Sequence, residues 1–306
     1  MARSRPRVAI AACRALHGCD ATGLHPDADW PLLSAALRDS GADASAVAWD
    51  DEGADWGQFD LAVLRSTWDS VHRPGEYLSW VRRTARATTL LNPVPAVEWN
   101  IDKTYLRRLQ ARGVPILPTE WLVDGNRWAP PAHEIVVKPS ISGGGRQTAR
   151  YRPHEGAEAV AHIRRLLGSG QTVMVQPYMA SVDFEGEGKL VFVEGELSHA
   201  VRVGPLLDAG DGVLERPWEK PVSMEQMEPT PAQLRAARNV LAAVRAEVPA
   251  PLLYARVDLV TAPTGQPLLS EIELVDPSLL LRLVPAAAGR LAEAITVQAE
   301  RLMQRS

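Results

Sequence analysis

The sequence predicts an α/β protein in which a small parallel sheet precedes a larger region of helices and antiparallel strands. Three observations carry this prediction. Short apolar strands alternate with helices over residues 1–96, the pattern that builds a parallel sheet. Beyond residue 134, strands follow one another across glycine-containing turns, as in antiparallel hairpins. The third is the stretch from Tyr254 to Ser278, where two apolar strands flank a turn-dense segment and carry three carboxylates.

Length and composition bound the rest. A chain of 306 residues can build one large domain or two to three smaller ones. An apolar fraction of 46% and a charged fraction of 23% are those of a soluble globular protein. The net charge of −4, with no basic run, argues against nucleic acid as a partner. Cys13 and Cys19 are too few for a disulfide framework, which makes a reducing cytoplasm the default location. No apolar run reaches membrane-spanning length and no cleavable signal pattern is present, so no membrane partner is expected. Four lysines stand against 29 arginines, so each lysine is informative.

In order, Arg7 to Ala12 reads as a buried strand and Pro31 to Arg38 as a helix, with Asp29 as N-cap and Gly41 beyond its end. Ala44 to Trp49 and Leu61 to Leu64 are the next strands, and Pro74 opens a second helix. Ligands of such sheets bind near the carboxyl ends of the strands. Arg65-Ser66-Thr67-Trp68-Asp69 lies at one such end, where an arginine, hydroxyls and a tryptophan could grip a carboxylate; the same residues would serve a helix-leading turn capped by Thr67 or Asp69. Residues from Val97 lead into a helix through Ala111 that places Lys103 in its first turn. A cation is unfavourable there unless it serves an anion or is simply solvated.

Ile135 to Pro139 is an apolar strand carrying Lys138, whose ammonium needs a partner if buried. Ser140 to Thr148 follows at once and contains Ser142 and the triplet Gly143-Gly144-Gly145. It could cradle phosphate oxygens through its backbone or be a flexible hairpin tip. A helix from Ala157 to Leu167, a strand from Thr172 to Pro177 and a polar turn with Asp183 come next. Two antiparallel strands, about Gly188 to Val193 and Leu197 to Val203, turn at Glu194-Gly195, with Arg202 near the end of the second. Gly204 to Pro221 reads as an irregular mobile loop, Pro231 to Val248 as an amphipathic helix, and Pro285 to Met303 as the closing helix.

In the hairpin, Glu271 and Glu273 share a face by the period of two, and pairing brings Asp258 beside them. Three such carboxylates repel one another unless a cation neutralises them, and hard oxygen ligands suit Mg²⁺. Arg256 projects from the same face and could meet an anion held there. A solvated acidic hairpin would show the same residues.

Together these pieces resemble the ATP-grasp superfamily over about residues 97–282. The likeness lies in the order of Lys103, Lys138 with its glycine loop, the strand Val173 to Met179, and the carboxylate hairpin. Within it the chain looks most like the branch that includes the ureidoserine cyclo-ligase of cycloserine biosynthesis. Arg65-Ser66, Trp68, WNIDKTYL at 99–106, VVKP at 136–139, QPYM at 176–179, RVDLV at 256–260 and EIELVDPSL at 271–279 carry this closer likeness.

The resemblance implies an ATP-grasp fold, with a Rossmann-like pre-ATP-grasp domain over 1–96, the ATP-grasp domain over 97–306, and a lid over about 119–175. It implies an ATP- and Mg²⁺-dependent ligase that forms a C–N bond between small-molecule acid and amine substrates, or within one molecule, through an acyl phosphate. A small-molecule kinase or a non-catalytic ATP-binding module on the same fold are the alternatives. By the resemblance, Lys103, Lys138, Ser142 and Gly143 to Gly145 meet the phosphates; Gln176, Tyr178 and Asp183 meet the nucleoside. Asp258, Glu271 and Glu273 hold Mg²⁺, Arg256 and Arg202 stabilise the transferring phosphoryl group, and Arg65, Ser66, Trp68 and Ser278 meet the substrate. Relatives of this fold are often dimers, so the resemblance leaves a homodimer open without fixing the oligomeric state. Glu273 departs from the superfamily, where many members carry Asn at the third metal position.

Overall fold

The computed structural model describes residues 5–14, 29–124 and 128–304; the expectation on Cys19 lies outside them. Cys13 is buried and forms no disulfide among the described residues. The first sheet is parallel, with β1 (Arg7–Ala12), β2 (Asp43–Ala48), β3 (Leu61–Ser66) and β4 (Thr89–Leu91) in the order β2-β1-β3-β4. Helices α1 (Trp30–Asp39) and α2 (Pro74–Ala87) cross between its strands. β3 runs two residues past the apolar stretch, so Arg65 and Ser66 belong to the strand and are buried. Asp29 precedes α1 but does not cap it with its side chain; its two oxygens accept from the amides of Leu279 and Leu281, each at 2.7 Å.

The predicted helix around Lys103 is two helices, α3 (Val94–Asn100) and α4 (Tyr105–Ala111). Asp102 breaks the run by accepting the Thr104 amide at 2.9 Å, the side-chain-to-backbone bond that competes with helix. Lys103 therefore lies in the turn before α4 rather than in a first helical turn.

The second sheet is antiparallel: β5 (Glu120–Leu122), β6 (Ile135–Pro139), β7 (Ala149–Tyr151) and β8 (Val173–Pro177), in the order β5-β8-β6-β7. Helix α5 (Gly156–Gly168) covers one face, with Ala159, Ile163 and Leu166 sharing a core with Val137, Val173 and Val175. The opposite face carries Lys138.

After α6 (Val182–Glu185), the third sheet comprises β9 (Glu187–Val193), β10 (Glu196–Val203), β11 (Met224–Met227), β12 (Tyr254–Thr261) and β13 (Pro267–Glu273), in the order β11-β10-β9-β12-β13. Helix α7 (Pro231–Glu247), opened by a Thr230–Gln233 capping box, buries Ala237, Val240 and Val244 against Leu190, Val257 and Leu259. The other face of the sheet is thereby left for polar groups. The closing helix α8 (Ala286–Met303) places Leu291 and Ile295 in one core with Leu33, Leu37 and Ile10 on one side and Val191 and Tyr254 on the other. First and third sheets thus share a core, and truncating Leu291 to Ala would cost about 2–5 kcal/mol. No helix among the described residues is long and apolar enough to cross a membrane.

β13 is an edge strand, and side chains stand in for its missing neighbour. Asn100 bonds the Ile272 carbonyl and the Leu274 amide at 2.8 and 2.7 Å, while Asn92 donates to the Leu274 carbonyl at 2.7 Å. The Tyr105 hydroxyl donates to the Ile272 carbonyl at 2.8 Å. These contacts fix the backbone that carries Glu271 and Glu273.

Candidate active site

The β12–β13 register sets Asp258 opposite Glu271 and Arg256 opposite Glu273, with a bulge just after Asp258. Asp258 is also opposite Lys189 on β9. Directly opposed residues share a face, so Arg256, Asp258, Glu271, Glu273 and Lys189 all project from the side that α7 leaves open. Arg256 grips Asp258 with two bonds of 2.8 Å each and also donates to Glu273 and, at 3.0 Å, to the Ser278 carbonyl. Lys189 donates to Asp258 at 2.6 Å and pairs with Glu187 at 3.0 Å. The three carboxylates converge as expected, but protein cations already compensate them.

Burial alone would raise the Asp258 carboxyl, yet Arg256 and Lys189 outweigh it and hold it low. Glu273 goes the other way: burial, Glu271 and Asp258 together raise it against the opposing pull of Arg256. Among the described residues no trio of His, Cys, Asp or Glu side chains stands arranged to hold a metal. The oxygens of Asp258 are committed to Arg256 and Lys189.

Lys189 escaped the sequence reading. It is one of four lysines and occupies the same apolar-strand context as Lys138, which is the signal that could have found it. Arg202 must be corrected. Val201 is opposite Lys189, so Arg202, the next residue, projects from the other face; it is exposed and pairs with Glu225 at 2.9 Å. Its alternation along β10 keeps it away from the carboxylates.

Lys103 is 5% exposed and bridges two parts of the site. Its ammonium donates to the Ser142 carbonyl at 2.6 Å and pairs with Glu271 at 3.0 Å. Lys138 projects from β6 near Glu271 and Lys103, and meets no hydrogen-bond or ion-pair partner among the described residues. Burial lowers its pKa, with Glu271 opposing. The Lys103–Ser142 bond ties the start of the glycine loop to the site, and Gly144 and Gly145 have φ of 60° and 84°. A Cβ at Gly145 would come within 2.5 Å of Leu206.

That contact belongs to the 204–221 segment, which is pinned rather than loose. Leu214 exchanges backbone bonds with Gln147 and Thr148 at 2.6 and 3.0 Å, and Lys220 ties Asp208 to Asp211 within the loop. Its irregular composition concealed a strap between the third sheet and the glycine loop.

At the end of β8, the Gln176 side chain donates to Thr119 at 2.8 Å and the Tyr178 amide donates to the Glu134 carbonyl at 2.9 Å. The Tyr178 amide is thus used internally. The Tyr178 hydroxyl donates to Asp183, and the Arg150 guanidinium lies 3.5 Å from the Tyr178 ring centroid. A cleft of about 1180 Å³ runs past the end of β8, lined by Gln176, Tyr178 and Met179 and by Thr261 and Pro263 at the tip of the β12–β13 hairpin; its walls do not include the carboxylates or Lys138.

Arg65 requires a second correction. It is 2% exposed and does not open into the cleft. It donates to the Pro277 carbonyl at 2.9 Å, pairs with Asp29 at 3.4 Å and stacks over Tyr254, 5.5 Å from the ring centroid. Ser66 is fully buried, and the Trp68 indole donates to the Asp276 carbonyl at 3.2 Å. Ser278 is half-buried beside Arg256. Arg65 and Trp68 thus hold the 275–281 segment against the carboxyl edge of the first sheet.

Residues 8–92 match the family described as "D-cycloserine synthetase DcsG, N-terminal domain". The chain is 35% identical over 293 residues to the cycloserine biosynthesis protein DcsG of Streptomyces lavendulae, covering 92% of this chain and 97% of that protein. The chain belongs to that ATP-grasp family. A crystal structure of D-cycloserine synthetase DcsG superposes with a TM-score of 0.83 at 34% identity, over 97% of this chain and 99% of that one. The D-alanine–D-alanine ligase of Bacillus anthracis complexed with ATP gives a TM-score of 0.63 at 14% identity, over 98% of this chain and 99% of that one, a likeness of fold. The fold and the ligase class expected from the sequence are therefore shown.

Proposed function

We propose that this ligase uses ATP and Mg²⁺ to convert a substrate carboxylate into an acyl phosphate, which an amine nitrogen then attacks to form a C–N bond. One observation carries the reading: two matched charge sets interlock on one face of the third sheet. Lys103, Lys189 and Arg256 are paired with Glu271, Asp258 and Glu273. A magnesium–polyphosphate complex is the ligand that satisfies both sets at once, offering anions to the cations and a hard cation to the carboxylates. Asp258, Glu271 and Glu273 supply the hard oxygen chemistry that Mg²⁺ takes, and as they stand they are paired with Lys189, Arg256 and Lys103.

In this reading Asp258, Glu271 and Glu273 would hold Mg²⁺, which supplies charge neutralisation for phosphoryl transfer. Lys103, Lys138, Lys189 and the Ser142 to Gly145 backbone orient the phosphates. Gln176, Tyr178 and Asp183 flank the nucleoside, and Arg256 faces the transferring group. A carboxylate oxygen attacks the γ-phosphorus and ADP leaves; the amine nitrogen then attacks the acyl carbon and phosphate leaves. The cycloserine relative, at 35% identity, favours an acid whose own nitrogen closes a ring.

Glu271→Gln keeps the shape of the site and removes one charge. It should cut turnover a hundredfold or more, about 2.7 kcal/mol of barrier, with the fold retained. ADP and phosphate should appear in equal amounts in the wild type. Release of AMP and pyrophosphate would refute the mechanism, and a stable phosphorylated product would identify a kinase.

A further inference from the structure

We propose that His199 is a positioning residue for phosphoryl transfer: by holding the Leu279 carbonyl it fixes the loop whose Ser278 carbonyl aims Arg256. This deepens the ligase reading and rests on it. His199 is 7% exposed, and the mechanism above gives it no task. The register sets it in one row across the third sheet. His199 is opposite Val191, Val191 is opposite Arg256, and Arg256 is opposite Glu273. It therefore projects from the face that carries the charges, two strands away from Arg256.

The two ring nitrogens have distinct partners. Nε2 lies 2.7 Å from the Leu279 carbonyl, which only accepts, so Nε2 carries the proton. Burial lowers the pKa of the ring and favours its neutral form. Nδ1 is then left to accept from the Ser198 hydroxyl at 3.0 Å. Arg290 of α8 holds Ser198 in turn, through its carbonyl and, at 3.3 Å, its hydroxyl oxygen. The tautomer is set from behind, and the ring is aimed at the loop.

Leu279 is clamped at both of its polar groups, its amide by Asp29 and its carbonyl by His199, each at 2.7 Å. The next residue, Leu280, has φ of 56°, a left-handed conformation that a bulky side chain keeps only where its surroundings over-determine it. Its side chain packs on Val201 and Val203 of β10. On the other side of Leu279, the Ser278 carbonyl accepts from Arg256 at 3.0 Å. His199 and Arg256 thus grip adjacent carbonyls of one strained loop from one row of the sheet. The side-chain partners of Arg256 are Asp258 and Glu273, the carboxylates that this reading gives to Mg²⁺. The Ser278 carbonyl is therefore the acceptor that stays with the guanidinium when metal and phosphate bind. Without the His199 bond, Leu280 is free to relax and the Ser278 carbonyl to turn away from Arg256.

The test is calorimetric binding of ADP and of the non-hydrolysable ATP analogue AMP-PNP, each with Mg²⁺. Arg256 faces only the phosphoryl group that ADP lacks, so the ratio of the two affinities reports on its aim. His199→Asn, too short to reach the Leu279 carbonyl, should lower the AMP-PNP-to-ADP affinity ratio about fivefold or more. His199→Gln, whose amide nitrogen stands where Nε2 does, should hold the ratio near that of the wild type. Arg256→Lys should lower it by a similar factor, and adding His199→Asn should change it no further, because both act through one guanidinium. A merely structural histidine would lower Tm or weaken both nucleotides equally; an unchanged ratio in His199→Asn overturns the proposal. An additive double variant, or a ratio lost equally in His199→Gln, overturns it too. Should His199→Asn fail to fold, Ser198→Ala removes only the hydroxyl that holds the ring, and an unchanged ratio there is equally fatal. The ligase reading is judged separately, by ADP and phosphate release. The expected ratios without turnover would leave His199 its role and sink that reading; turnover with an unchanged ratio would do the reverse, and a wild type that binds neither nucleotide overturns both.

Discussion

Replacing Arg65 with lysine separates a structural arginine from a substrate-binding one. The guanidinium donates to the Pro277 carbonyl at 2.9 Å, pairs with Asp29 at 3.4 Å and stacks on Tyr254. A charged hydrogen bond of this kind contributes about 1.5–3 kcal/mol. The cation–π contact adds about 0.5–2 kcal/mol. Lysine keeps the charge but loses the planar fork that reaches two acceptors at once. Arg65→Lys should therefore destabilise the fold by about 2–4 kcal/mol, or roughly 3–6 °C in Tm for a chain of 306 residues. Scanning calorimetry reads the Tm, and steady-state kinetics on the same preparation reads KM for ATP and for the acid. An unchanged Tm with a tenfold rise in the acid KM would refute this account and restore Arg65 to the substrate.

Lys138→Met should lose most of the thermal stabilisation that ATP and Mg²⁺ confer, about 2.7 kcal/mol at a hundredfold excess over Kd, while leaving the apo Tm unchanged; an equal shift in both proteins would remove Lys138 from the phosphate site. His162 is buried beside Tyr151, and burial together with Arg165 lowers its pKa to about 4. Its folded pKa lies below its unfolded one, so the unfolded state takes up the proton first and stability falls as pH drops from about 6.5 towards 4. Denaturant titrations of wild type and His162→Gln at pH 7.5 and 5 should show the wild type losing up to about 2 kcal/mol more than the variant, and parallel losses would contradict the assignment.

Much of this site was legible because the period of a strand is fixed. Asp258, Glu271 and Glu273 were placed on one face by counting in twos, and the register bears that out. The same rule, applied across three strands rather than two, would have set Arg202 on the wrong face, but that requires knowing which strands pair. Lys103 and the glycine loop stand out by residue type, although the Asp102 turn that positions Lys103 is a local competition that helix periodicity does not register.

Arg65 was misread because a strand-end arginine can either enter a cleft or fold back. The deciding partners, Asp29 and Pro277, lie 36 and 212 residues away. Asp29 looked like a helix cap for the same reason: its acceptors serve amides about 250 residues along the chain. The three-residue strands β4 and β5 and the short edge strand β11 carry too little pattern to show in sequence. They exist because longer neighbours offer them a ladder.

The central claim is that a carboxylate becomes an acyl phosphate before the C–N bond forms. It is tested most directly by running the reaction on a substrate labelled with ¹⁸O in its carboxylate and analysing the phosphate by mass spectrometry. O-ureidoserine is the first candidate. The account predicts one ¹⁸O in each phosphate released, because the bond that breaks when nitrogen attacks is the one between the acyl carbon and the oxygen that took the phosphoryl group. Phosphate free of label, formed at the same rate as the ligated product, would contradict it.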